Sequence, residues 1–308
     1  MKKLNKLIQT LKKMSNISKN TKTSKKKVSK VVSKKINIGK NKIIRKNKTI
    51  STKNSIHKNK VVHKDNTVQR EKIIQEKSEI PMKIYYDLFE SYGPQGWWPL
   101  LECEGVNPTK SGCINGYHPH NYSYPRDEFE QFEICIGAIL TQNTSWPNVE
   151  KALVNLKKMN AINPSAILSL NDDVLKNAIR PAGYFNQKAK KLKVFSKFFM
   201  DLEKREPKRA ELLDVWGVGP ETADSILLYV YKNPVFVVDA YTKRIFQNIG
   251  LIKKDATYDE IKRFFEKNVK WDYKIYQEYH ALIVEHAKRY YNKASEYKKC
   301  PLYKKYEK

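Results

Sequence analysis

Residues 215–224 read VWGVGPETAD, with two glycines one residue apart, a proline directly after them and a polar run that then turns apolar. Pro220 suits the first turn of a helix, where its missing N–H costs nothing. Ala223, Ile226, Leu227 and Val230 then recur at helical spacing and supply an apolar stripe. Gly217 and Gly219 are expected in the tight turn before it, with φ > 0 and no Cβ, so that backbone N–H groups face outward. A helix N-terminus behind such a turn attracts anions, and a nucleic-acid phosphate is one that fits. An isolated GxG turn is more often a plain connector, so the rest of the chain decides its meaning.

Helical periods dominate on both sides of that turn. In DEFEQFEICIGAILTQNT the residues Phe129, Phe132, Ile136 and Leu140 fall on one face, and Asp127 with Glu130 resembles a capping box. KAKKLKVFSKFFMDLEK places Leu192, Phe195, Phe199 and Leu202 inward. Strand-like alternation is scarce, VFVV at 235–238 being the one short β-like run. The pattern predicts an all-α domain of about ten short helices, interrupted by a long Gly-, Pro- and Asn-rich loop over 102–126.

Charge divides the chain in two. Residues 1–80 hold twenty-five basic and four acidic side chains and no aromatic residue, whereas all thirty-five aromatics follow position 80. Such a segment cannot bury enough apolar surface to fold, so a disordered Lys-rich arm is expected, attracted to polyanions. The remaining 81–308 carries +7 and an ordinary composition. No apolar stretch approaches the length that spans a bilayer and no secretory signal is visible. Four scattered cysteines argue against a disulfide framework and for a reduced, cytoplasmic setting.

Eighteen residues after Glu221 comes VVDAYTKRIF, in which Asp239 separates an apolar run from a new amphipathic helix. With AILTQNT, PAGYFNQKAKKL and WGVGPETADSIL, this segment resembles the helix-hairpin-helix DNA glycosylases of the endonuclease III superfamily, in the family's order and over most of residues 85–290. The resemblance implies two helical lobes with a cleft between them. Residues 123–233 would form one lobe, with the hairpin at 215–232, and 81–122 together with 234–308 the other. It also implies a monomer acting on damaged double-stranded DNA in the nucleoid, without a cofactor.

In that family the aspartate at the position of Asp239 is essential for base excision. Breaking the bond between a base and its sugar builds oxocarbenium-like positive charge, which a nearby carboxylate stabilises or answers by activating water. The bland alternative is an ordinary N-cap aspartate. Bifunctional members carry a lysine at the position of Glu221, and a carboxylate cannot form their Schiff base. The expected product is therefore an abasic site without strand cleavage. Glu221 would otherwise be a first-turn acid favoured by the helix dipole.

YYDLFESYGPQGWWPL, with ILTQNTSW, looks like the 3-methyladenine branch of the superfamily, in which aromatics at the positions of Trp97, Trp98 and Trp146, beside Pro99, line the base pocket. Alkylated purines are cationic and stack on π faces. Core packing is the alternative for these rings. Gln142 resembles the residue that fills the gap left by a flipped nucleotide, and Tyr184 one that intercalates. Gly217, Gly219, Thr222, Lys188 and Lys190 are expected at the DNA backbone. A mismatch or oxidised-pyrimidine glycosylase, and a non-catalytic DNA-binding protein, are the rival readings.

Many relatives hold an iron–sulfur cluster on four cysteines. Tyr291, Tyr297 and Tyr306 stand at three of those positions here and only Cys300 remains, so no cluster is expected. Cys103, Cys113, His118 and His120 suggest a zinc-stapled loop, but their spacing fits no common ligand framework. His280 and His286 are expected to be satisfied histidines on a late amphipathic helix.

Overall fold

The computed structural model describes residues 78–111, 115–293 and 296–307. The Lys-rich arm expected over 1–80 lies outside them except for its last three residues. Among the described residues the structure is built from helices, with one isolated antiparallel bridge between Val106 and Asn115. None of these helices is long and apolar enough to cross a membrane.

The helices are α1 (78–92), α2 (Glu128–Leu140), α3 (Trp146–Lys158), α4 (Pro164–Ser169), α5 (Asp172–Ala178), α6 (Phe185–Asp201), α7 (Arg209–Asp214), α8 (Pro220–Tyr229), α9 (Ala240–Asn248), α10 (Tyr258–Asn268), α11 (Tyr273–Tyr290) and α12 (Pro301–Tyr306). Their starts follow the sequence. Asp127 accepts the Glu130 N–H at 2.9 Å to cap α2, and Thr257 with Glu260 forms a full capping box on α10. Glu130 itself turns to Arg126 instead of completing a box.

Packing sorts the helices into two groups. Helices α2 to α8 pack on one another around Phe132, Ile136, Leu140, Leu192, Phe195 and Ile226, all at most 1% exposed. Phe129, expected on the same face, is 66% exposed, because the buried part of α2 begins only at Glu130. Helix α11 packs on α9, and Tyr279 in its middle donates to the Pro81 carbonyl in α1 at 2.7 Å. Phe236, Phe246 and Phe265 close around Tyr279. The two groups meet where α8 packs on both α2 and α11.

The β-like run at 235–238 is not a strand. Phe236, Val237 and Val238 are buried, yet they form an extended connector from α8 to α9 without a ladder partner. Burial on all sides, not pairing, explains the apolar run.

Candidate active site

Asp239 ends that connector and caps α9. Its Oδ1 accepts from the Thr242 N–H at 2.6 Å and from the Thr242 hydroxyl at 2.7 Å. The cap occupies one carboxylate oxygen. The other, Oδ2, lies 3.9 Å from His280 Nε2 on α11, and both residues are buried. His280 in turn has its Nδ1 2.8 Å from the Tyr229 hydroxyl. Burial holds its pKa below the usual value, against the opposing charge of Asp239.

Glu221 occupies the first turn of α8 and reaches solvent. The protein packed around its carboxyl and the charge of Asp239 nevertheless push it up to about 7, against the pull of Lys243. Glu221 thus titrates near neutrality.

Trp97, Trp98 and Trp146 form a single cluster. Ring centroids lie 5.3 Å apart for Trp97 and Trp98, 4.9 Å for Trp97 and Trp146, and 5.4 Å for Trp98 and Trp146, all tilted or edge to face. The rings touch one another rather than flanking an open slot. Trp98 also packs on Tyr229 at 5.3 Å, which links the cluster through His280 to Asp239. Gly137 on α2 makes room for it, since a Cβ there would stand 3.1 Å from the Trp98 indole nitrogen. None of the three indole N–H groups finds an acceptor among the described residues. Pro99 and Trp146 further line a pocket of about 180 Å³ with Glu133 and Glu150.

The loop carrying these tryptophans is pinned from distant helices. Glu278 on α11 accepts the Gln95 N–H at 2.6 Å, the Gly96 N–H at 3.4 Å and the Tyr122 hydroxyl at 3.2 Å. The ring nitrogens of His118 lie 2.9 Å from the Trp98 carbonyl and 2.8 Å from that of Asn121. Cys103 is directed at the Tyr117 carbonyl. His118 and Cys103 therefore serve the loop backbone, while Cys113 lies outside the described residues. No group of three or more metal-ligating side chains occurs among the described residues.

At the hairpin, Gly217 has φ +90° and a Cβ there would collide with the Lys191 side chain at 2.6 Å. Gly219 differs from expectation. Its φ is −95° and a Cβ there would meet open space, so it serves as the extended N-cap of α8. Gln142 donates to the Gly217 carbonyl and the Thr222 hydroxyl, both at 3.0 Å, and accepts from Lys191. Gln142, Gly217 and Thr222 thus form one bonded unit. Arg209 on α7 braces α8 through the fully buried Asp224, at 2.7 and 3.1 Å.

Lys188 corrects the expectation of a phosphate contact. It is 2% exposed, and its ammonium donates to the Leu140 carbonyl, the Thr144 hydroxyl and the Ala182 carbonyl at 2.8, 2.8 and 2.9 Å. All three of its donors are engaged at helix ends, and burial lowers its pKa to about 8. Lys190, two residues on, is exposed and lies 4.5 Å above the ring of Trp216, itself 46% exposed at the hairpin tip. Tyr184 is 70% exposed in a left-handed conformation before α6.

At the C-terminal corner Tyr291 and Cys300 are buried. Cys300 Sγ lies 3.0 Å from His286 Nε2, and Tyr306 donates to Asp87 at 2.8 Å. Apolar and hydrogen-bonded packing fills that corner.

A family model for HhH-GPD superfamily base excision DNA repair proteins matches residues 136–270, which contain the hairpin, Glu221 and Asp239. A provisionally named DNA repair glycosylase of Methanocaldococcus jannaschii is 44% identical over 239 residues, which are 74% of this chain and 96% of that protein. The chain belongs to the HhH-GPD superfamily. It is a DNA glycosylase of base excision repair in that sense, and its hairpin and Asp239 lie within the matched segment. Helicobacter pylori 3-methyladenine DNA glycosylase, solved with 1,N6-ethenoadenine bound, is 30% identical with a TM-score of 0.52, covering 69% of this chain and 97% of that one. Endonuclease III trapped covalently on DNA matches at 21% identity and a TM-score of 0.50, over 59% of this chain and 84% of that one, which shows a shared HhH-GPD fold.

Sequence reasoning singled out Asp239, Glu221 and the tryptophans as candidates but missed His280 as a neighbour of Asp239, Glu278 as the loop's anchor and Asp224 as the hairpin brace. Each lies on a helix far in sequence from its partner. A buried carboxylate or imidazole in an apolar stripe was the available signal.

Proposed function

We propose that this HhH-GPD protein is a monofunctional DNA glycosylase that excises alkylated purines such as 3-methyladenine. The observation that carries the reading is Asp239, buried, with one oxygen spent on the helix cap and the other free, one residue pair away from a cluster of three tryptophans. A cationic base gains from π faces, and its glycosidic bond is already weak, so little acid catalysis is needed. The indole N–H groups are buried and unpaired, donors that a base reaches only when the tryptophan cluster opens. The likeness to a 3-methyladenine glycosylase supports the same substrate class.

The N-terminus of α8 behind the Gly217–Gly219 turn, within which the Val218 N–H is already bound to the Val215 carbonyl, and the exposed Lys190 and Tyr184 supply contacts to double-stranded DNA. Glu221 lacks the amine of a lyase, so borohydride traps no covalent adduct. Release of free 3-methyladenine from methylated duplex DNA is the direct test. Asp239→Asn is expected to cut excision by at least ~10²-fold while DNA affinity stays near that of the wild type. Excision of thymine glycol or mismatched thymine alone would point to the pyrimidine branch instead.

A further inference from the structure

The hydroxyl of Tyr229 has one proton and two neighbours: the Gln277 carbonyl at 3.2 Å and His280 Nδ1 at 2.8 Å. A carbonyl can only accept, so the hydroxyl proton goes to Gln277 and the hydroxyl oxygen accepts from Nδ1–H. The neutral imidazole then has its bare lone pair on Nε2, directed at Asp239 Oδ2. A lone pair facing a carboxylate forms no hydrogen bond, and 3.9 Å is the separation seen. Because Oδ1 is held by Thr242, Oδ2 is the oxygen left for chemistry.

From this arrangement we infer that His280, set by Tyr229, is the proton acceptor behind Asp239 during base excision. The inference rests on the glycosylase reading. The oxygen of the attacking water forms its bond to the sugar's C1′, and the C1′–N bond breaks with its electron pair leaving on the base. The water proton passes to Oδ2. Oδ2–H then has an acceptor facing it, and moving the proton on to Nε2 restores the Asp239 carboxylate once the sugar has become the neutral abasic product. The imidazolium so formed keeps its Nδ1–H on Tyr229 and turns its new Nε2–H toward Asp239, where the 3.9 Å separation must close to hydrogen-bond distance for the transfer to occur.

Three elements face this group: α8 through Tyr229, α9 through Asp239 and α11 itself. Asp239 is the charge that opposes burial at His280; Glu278 acts on Tyr229, and Asp239 also acts on Glu221, with Lys243 on α9 pulling Glu221 the other way. His280 does not touch the substrate and is a positioning residue whose partner is Asp239.

The test is single-turnover excision by the full chain on methylated duplex DNA, followed across pH, with DNA affinity measured in parallel. His280→Gln can still donate to Oδ2 but has no basic nitrogen. It is expected to lower the excision rate roughly 10²-fold without weakening DNA binding. The part of the acidic fall in rate that belongs to His280 should persist in Glu221→Gln and be missing from His280→Gln, in which only protonation of Asp239 still lowers the rate. Tyr229→Phe, which removes one oxygen, should fall between wild type and His280→Gln and serves as the readout if the histidine variant does not fold. A folded His280→Gln or Tyr229→Phe with wild-type rate and an unchanged pH profile overturns the relay while Asp239→Asn still separates active from inactive enzyme. If wild type and Asp239→Asn both release no base, the glycosylase reading fails, and the relay with it.

Discussion

The hairpin turn at 215–219 and the loop at 93–126 both bring groups to the site, but they are held in opposite ways. The hairpin is local: Gly217 makes the turn, Gly219 caps, Pro220 starts α8, and Arg209 on the preceding helix braces it. The loop is held from afar, by Glu278 and Glu133, which lie 183 and 32 positions from their partners Gln95 and Leu101. A phosphate clamp can be specified by a few consecutive residues, because backbone N–H groups do the binding. An aromatic wall cannot, because its rings must be aimed by packing.

The sharpest way to break this contrast is Glu278→Ala. It strips the Gln95 and Gly96 N–H groups of their acceptor and is expected to cost about 4 kcal/mol and displace the Trp97–Trp98 segment. Denaturant unfolding and tryptophan fluorescence report both, with the hairpin's DNA affinity retained.

Glu133 sharpens the same side. Burial pushes its carboxyl up to about 7 from 4.5, despite the Leu101 N–H and Lys157. The folded form therefore binds more protons than the unfolded chain between those values, so this group's contribution is complete below pH 4.5 and is lost as pH rises through 7. Glu133→Gln should flatten that slope and leave the protein up to about 3 kcal/mol more stable than wild type at pH 8, with no gain at pH 4. Thermal unfolding at the two pH values decides it.

On the hairpin side, Gly217→Ala forces a side chain into a left-handed turn and against Lys191, at an expected cost of about 2 kcal/mol. Gly219→Ala should cost under about 1 kcal/mol, because its backbone is extended and space is open. Equal losses would show that the turn is not set locally.

The smallest effect concerns two lysines on one helix. Lys190→Ala should leave stability unchanged and lower DNA affinity a few-fold at low salt, with a salt dependence shallower by about one charge. Lys188→Met should act on stability instead, since its three acceptors face inward.

The sequence by itself determined the helical class, the hairpin, the aspartate that caps α9 and the acid, Glu221, in the first turn of α8. These are readable because turn chemistry, capping and 3.6-residue periodicity act over a few neighbouring positions. Phe129 marks the limit, since periodicity sets a helix face but not where its buried stripe begins. Lys188 marks another: an amphipathic helix shows its basic face in the sequence, yet only the helix ends converging on that side chain make it buried. The mutual closure of the tryptophans, the anchoring of their loop by Glu278 and the placement of His280 behind Asp239 were decided by tertiary structure alone. Each requires groups from separate helices to meet at hydrogen-bond or van der Waals distance, and that proximity is a property of the packed core.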